Sequence, residues 1–170
     1  MLEEQKWHDC LNTYSKKLLH LSYLYVKDWH SAEDIVQDVF IKYFETESQF
    51  KGDASLETYL TRMTINRSKD YLKSWRYRTI TLTNFFPQVM HMKNPVIEQE
   101  ERSEIVEAVL SLPVKYRELI ILHFYEHHSF TSISTLLNVP TSTVHNRFLK
   151  AKNLLREKIN RQEWEVLFHE

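Results

Sequence analysis

Arg62, Asn66, Lys69, Lys73 and Arg76 recur at intervals of four, three, four and three. On a helix that spacing lines polar and cationic groups along one face for about four turns. Trp75 and Tyr77 interleave near its end, and Asp70 is the single opposing charge nearby. Cations mixed with aromatics can hold phosphates while rings stack on unpaired bases. A merely solvated face would mix signs more evenly. A second set, Thr143, Asn146, Arg147, Lys150 and Asn153, shares the outer side of a later segment. In a DNA major groove Arg can fork onto guanine and Asn onto adenine. The competing reading of this set is a helical hairpin whose outer side is simply wet. A third pattern, His123-Phe124-Tyr125-Glu126-His127, has the H-x-x-E-H spacing of one class of zinc peptidase. With nine His in the chain such a coincidence is cheap, and no third ligand is readable. One Gly rules out a Gly-rich phosphate loop, and no nucleophile stands beside an identifiable base. Neither a metal, a cofactor nor a small-molecule substrate is expected.

The elements that must position these residues are helical. From Ser129 to Ile159, Phe130, Ile133 and Leu137 share one face of a short helix. Pro140 then stops it, because Pro lacks an N–H and biases Val139 away from helical angles. Asn138 tolerates the left-handed turn this requires. Thr141 or Ser142 can cap a second helix. Val144, Phe148, Ala151, Leu155 and Ile159 form its buried stripe, at spacings of four, three, four and four. Two helices, a tight turn and a polar, cationic outer face describe a helix-turn-helix.

Upstream, Trp7, Leu11, Tyr14, Leu18, Leu21 and Tyr25 predict a helix over 5–27 with these residues in a core. Trp29-His30 breaks it, and Ser31 with Asp34 caps the next helix, 32–45. That helix buries Ile35 and Val39 and leaves Glu33, Asp34, Gln37, Asp38 and Lys42 outside. Val36, Phe40 and Phe44 widen its apolar arc, as a docking face for a basic partner would; a packed bundle helix is the plainer alternative. A loop at 47–55 holds Phe50, Lys51 and Gly52 and could accept an unstacked base, or simply bury its Phe. The cationic helix covers 55–78. Residues 79–100 lose periodicity and read as an interdomain linker. A helix over 100–111, punctuation at Leu112-Pro113, and a helix packing Leu119, Ile120, Leu122 and Phe124 lead into the helix-turn-helix. Residues 164–170 read as an amphipathic tail.

A single Gly and four Pro favour an all-α protein, and 42% hydrophobic residues supply real cores. Net charge is −1, but two basic clusters, 62–78 and 147–161, flank an acidic run at 98–107. That arrangement suggests two contacts on one polyanion. Cys10 is the only cysteine, so no intrachain disulfide forms, which suits a reducing cytosol. The N-terminus has no signal-peptide core, and no apolar run is long enough to span a bilayer.

Three blocks of the sequence resemble the sigma-70 family of bacterial RNA polymerase initiation factors, in its short extracytoplasmic-function (ECF) group. AEDIVQDVFIKYFE, Ala32 to Glu45, is similar to the family's core-polymerase-binding helix. SLETYLTRMTINRSKDYLKSWRYR, Ser55 to Arg78, resembles its promoter-melting and minus-ten helix, and Leu112 to Ile159 its minus-thirty-five domain. Ser132 and Ser134 depart from the usual Glu and Ala, Asn138 from the turn Gly, and Lys73 from Arg. The resemblance implies two small helical domains, 1–78 and 101–170, on a flexible linker, 79–100, that threads near the RNA exit path. It implies docking on the clamp helices of the largest polymerase subunit through Asp34, Gln37, Asp38 and Phe40, with the flap region as a further contact. Minus-ten DNA would meet Phe50, Lys51, Arg62, Asn66, Lys69, Lys73 and Arg76, the 50–53 loop holding a flipped base. Minus-thirty-five DNA would meet Ser142, Thr143, His145, Asn146, Arg147 and Lys150. Such a factor acts in the bacterial cytoplasm without catalysis of its own. It is usually restrained by an anti-sigma protein, often membrane-bound. The alternative is a stand-alone helix-turn-helix regulator that binds DNA as a dimer.

Overall fold

The computed structural model describes residues 2–47, Gly52, 54–74 and 104–168, with side chains from Gln5 onward. Every regular element among them is helical. The chain divides into two compact units, Met1–Pro87 and Gln88–Glu170. The segment predicted as a linker, 79–100, lies outside the described residues.

In the first unit α1 (Leu2–Val26), α2 (Trp29–Thr46) and α3 (Leu56–Lys73) each pack on the other two. Leu18, Leu21, Tyr25, Ile35, Val39, Leu60 and Ile65 fill the centre. Small polar residues sew the helices where they approach. Ser22 Oγ lies 3.2 Å from Ser68 Oγ, and Ser31 Oγ lies 2.7 Å from the Tyr71 hydroxyl.

The turn between α1 and α2 differs from the predicted one. Lys27 takes a left-handed φ of 62°, and Asp28 follows in extended conformation. Its carboxylate accepts from the Ser31 N–H at 2.8 Å, so Asp28 is the cap and the helix starts at Trp29. Ser31 is buried inside the helix with its hydroxyl spent on Tyr71. Trp29 does not break the helix; it stacks on Tyr23 at 3.9 Å and 7°.

Trp7 and Leu11, expected in the core, are exposed, although Trp7 lies flat on Phe44 at 4.1 Å. Arg67 reaches outward to Asp38. Ser55 caps α3, accepting from Thr58 N–H at 3.2 Å. The helix ends earlier than predicted, at Lys73. The Ser74 N–H and hydroxyl both donate to the Tyr71 carbonyl, at 3.0 and 2.6 Å, which closes the last turn.

The second unit contains α4 (Glu104–Ser111), α5 (Val114–Ile120), a π-helical turn (Ile121–Tyr125), α6 (Phe130–Leu137), α7 (Thr141–Arg156) and α8 (Arg161–Phe168). Pro113 stands immediately before α5. Leu119, Ile120, Ile121 and Leu122 are fully buried, and α5 packs on α7. Ser129 caps α6, accepting from Ser132 N–H at 3.2 Å. Ile133 and Leu136, rather than Leu137, bury the inner side of α6. Asn138 takes the left-handed turn, at φ 52° and ψ 51°. The Ser134 hydroxyl donates to the Val139 carbonyl at 2.7 Å and ties the turn.

No side chain caps α7. Pro140 occupies the cap position, and its carbonyl accepts from Thr143 and Val144 N–H at 2.9 and 3.1 Å. Thr141 and Ser142 already lie inside the helix. The predicted stripe of Val144, Phe148, Ala151, Leu155 and Ile159 is buried, although α7 stops at Arg156. Asn160 and Glu163 then cap α8 reciprocally, each side chain accepting from the other's backbone N–H at 3.0–3.1 Å. The tail helix thus begins three residues before the predicted 164.

Candidate nucleic-acid interface

On α2 the successive pairs 33–34, 37–38 and 41–42 point to solvent, while 35–36 and 39–40 point inward. Phe40 therefore does not belong to the outer face. It is 5% exposed and packs with Cys10, Leu18, Val36, Val39, Tyr43 and Leu60. At 100° per residue it follows Val36 onto the inner arc, and the apolar arc that looked too wide is taken up by α1 and α3. The surface instead carries Asp34, Gln37, Asp38 and, 58% exposed, Ile41. Ile41 was missed by the sequence reading; the i, i+3, i+4, i+7 run from Asp34 is the signal that finds it. Asp38 accepts from Arg67 Nε at 3.0 Å, so α3 holds one carboxylate of this face.

Arg62, Asn66, Lys69 and Lys73 share a face of α3, Asn66 and Lys73 fully at the surface and Arg62 and Lys69 half-buried. They span about 16 Å, at 1.5 Å per residue. Lys73 lies 3.7 Å from Asp70, an exposed pair of little energetic weight. Phe50, Lys51 and Arg76 lie outside the described residues.

On α7, Ser142, His145, Asn146 and Lys150 are exposed, and Thr143 and Arg147 are half-buried. His145 edges onto Phe130 at 5.2 Å. Arg147 Nη1 comes within 3.7 Å of Glu118 Oε1 on α5, a carboxylate whose side chain is 3% exposed. The structure divides the C-terminal basic cluster by task. Lys152 sits over the rings of Phe168 and Trp164, at 4.5 and 5.3 Å, and Arg156 over Trp164 at 5.6 Å. These cations hold α8 against α7, while Asn146 and Lys150 stay on the outer side.

The zinc pattern dissolves. The π-helical turn ends at Tyr125, and His127 has a left-handed φ of 55°, so the two His are not stacked one α-helical turn apart. His123 Nδ1 donates to the His128 carbonyl at 2.9 Å, its ring set among Phe124, Phe130 and Phe148. Among the described residues no group of three His, Cys, Asp or Glu could hold a metal ion. Nor is any described helix long and apolar enough to cross a membrane. Cys10 is buried, and burial, then Glu47, push its thiol pKa above its ordinary value.

The described residues thus present an exposed acidic and apolar helix face, a cationic helix face and a helix-turn-helix. Residues 10–78 match the family described as Sigma-70 region 2, and residues 102–155 match Sigma-70, region 4. The ECF RNA polymerase sigma factor SigW of Bacillus subtilis is 28% identical over 169 residues, covering 92% of this chain and 90% of the relative. The ECF sigma-E factor of Escherichia coli K12 is 27% identical over 158 residues, covering 86% and 82%. The sigma factor RpoE from Bartonella quintana, solved with the anti-sigma factor NepR, superposes with a TM-score of 0.69 at 19% identity, over 92% of this chain and 99% of that one. CnrH, solved with the cytosolic domain of CnrY, gives 0.65 at 17% identity, over 91% and 87%. The chain belongs to the sigma-70 family of RNA polymerase sigma factors, in its ECF group.

Proposed function

We propose that the chain binds core RNA polymerase and directs promoter-specific initiation, docking through the α2 face and reading DNA through α3 and α7. The observation that carries this is the α2 surface: Ile41 left exposed beside Asp34, Gln37 and Asp38 on a helix whose Ile35, Val36, Val39 and Phe40 are buried. An apolar side chain beside carboxylates suits the clamp helices of the largest subunit if they present cations around an apolar patch. The flap region is the corresponding partner of the proposed C-terminal domain, 101–170. In the proposed N-terminal domain, 1–78, Arg62, Asn66, Lys69 and Lys73 track minus-ten phosphates, with Phe50, Lys51 and Arg76 extending that path. Ser142, Thr143, His145, Asn146, Arg147 and Lys150 read the minus-thirty-five duplex. The linker, 79–100, lets the two units meet elements separated along the promoter.

The chain supplies binding energy and specificity, and catalysis belongs to the polymerase. It works in the bacterial cytoplasm. An anti-sigma factor holds it inactive, at the membrane where that factor is membrane-bound; the RpoE structure described above is a complex with an anti-sigma factor. A stand-alone dimeric regulator would have no use for the α3 face, because a duplex reader needs no second, melting surface.

The test is run-off transcription with purified core polymerase on pooled bacterial promoter DNA. Specific transcripts appear only when this protein is added, and aligning their start sites yields both promoter elements. Folded, inhibitor-free protein that leaves core polymerase silent on every template defeats the proposal.

A further inference from the structure

We infer that Glu118 is a positioning residue for promoter discrimination: it holds Arg147 so that the guanidinium reads a base instead of settling on the nearest phosphate. The inference rests on α7 being the minus-thirty-five reader. Glu118 lies on α5, 29 residues from Arg147 and on a different helix, with its side chain 3% exposed. Burying a carboxylate to that degree is costly unless compensating groups stand beside it. Arg147 supplies one, with Nη1 3.7 Å from Oε1, while its own side chain remains 30% exposed.

The guanidinium is thus drawn toward α5 by an ion pair at one edge while the side chain keeps part of its surface in solvent. Arg carries five donors in a rigid plane, so a bias on one edge biases the direction of the others. That matters for recognition. A free, long cation on a helix facing DNA finds phosphate oxygens first, and phosphate contacts carry no sequence information. A guanidinium held in one plane can meet the paired acceptors of guanine, O6 and N7, only where that base stands at the right height in the groove. Glu118 itself stays beneath the helix and touches no DNA. Its charge is the working feature, which separates it from the neighbouring core residues Leu119, Ile120, Ile121 and Leu122 that only fill volume.

The experiment uses holoenzyme assembled from core polymerase and the full chain. Open-complex formation is measured on a panel of promoters in which each minus-thirty-five base pair is replaced in turn. Four proteins are compared: unaltered, Arg147→Ala, Glu118→Gln, and the double variant. Gln preserves the volume of Glu118, keeps one acceptor oxygen and removes its charge. Thermal unfolding of each free protein is recorded alongside.

At the base pair read by Arg147, Arg147→Ala reduces the preference for the best base by about tenfold. Glu118→Gln flattens the same position and no other, and adding it to Arg147→Ala changes nothing further. That pattern supports the inference. If Arg147→Ala flattens a position and Glu118→Gln does not, the positioning role is overturned and the base-reading role of α7 survives. If Glu118→Gln weakens every promoter equally while lowering the unfolding temperature, Glu118 is a structural residue and the inference falls. If Arg147→Ala itself shows no base-dependent loss, the base-reading role and the inference fall together.

Discussion

Asp38 and Ile41 show how single residues are assigned by what surrounds them. Asp38 is exposed and paired with Arg67, and an exposed pair contributes at most about 1 kcal/mol. Asp38→Arg therefore leaves the fold intact while reversing the charge of the α2 face. Gel filtration with core polymerase should show holoenzyme assembly lost and the far-ultraviolet circular dichroism unchanged; normal assembly removes this face from the mechanism. Lys73 belongs to a different energetic class, an exposed cation on the α3 face that is proposed to stand opposite phosphates. Lys73→Ala should weaken promoter binding evenly across sequences and reduce the logarithmic salt slope by about one unit. A loss confined to particular sequences contradicts that assignment. Cys10 reports on the core beneath α2. Its thiol is buried and its pKa lies above the ordinary 9.0, desolvation being the main cause. The folded chain thus retains the proton where the unfolded chain has lost it. This contribution to stability is complete below pH 9 and declines as the pH rises through the folded pKa. Thiol titration with a disulfide reagent at pH 8 should be slow in native protein and fast in denaturant. Equal rates would place Cys10 at the surface.

At the scale of elements, the helix-turn-helix depends on one backbone conformation. Asn138 stands in the left-handed region, where Asn is tolerated and Gly is free of strain. Asn138→Gly should be neutral or slightly stabilising, whereas Asn138→Ala should cost about 1 kcal/mol, checked by urea unfolding. An Ala variant as stable as the original would show that Ser134 and Val139 set the turn on their own. The Ser134 hydroxyl on the Val139 carbonyl helps hold the turn with Asn rather than Gly at the left-handed position. Helix ends were the least legible elements. Thr141, Ser142 and Ser31 all have the side chains of caps, yet Pro140 and Asp28 hold the cap positions. Cap propensity belongs to many polar residues near a helix start. Which one is used depends on where the chain enters from the preceding turn, here set by Lys27 in the left-handed region and Pro140 in extended conformation.

At the scale of the molecule, clamp docking is proposed for α2 in the first unit and minus-thirty-five reading for α7 in the second, and their variants should fail differently. Asp38→Arg should abolish run-off transcripts from every promoter, while Arg147→Ala should select among promoters by their minus-thirty-five sequence. A promoter-selective Asp38→Arg effect would merge the two tasks and count against the division. Periodicity in the sequence was enough for the all-helical class, the helix-turn-helix with its Val144, Phe148, Ala151, Leu155 and Ile159 stripe, and the shared face of Arg62, Asn66, Lys69 and Lys73, because helical spacing is a local property. It could not decide which apolar residues of α2 found neighbours. Phe40 and Ile41 are adjacent and both hydrophobic, and only the packing of α1 and α3 buries the first and leaves the second in water. Nor could it join Glu118 to Arg147, since charges 29 residues apart meet only when α5 and α7 pack together. Faces follow from local repeat, whereas burial and long-range pairing exist only once helices distant in sequence share a core.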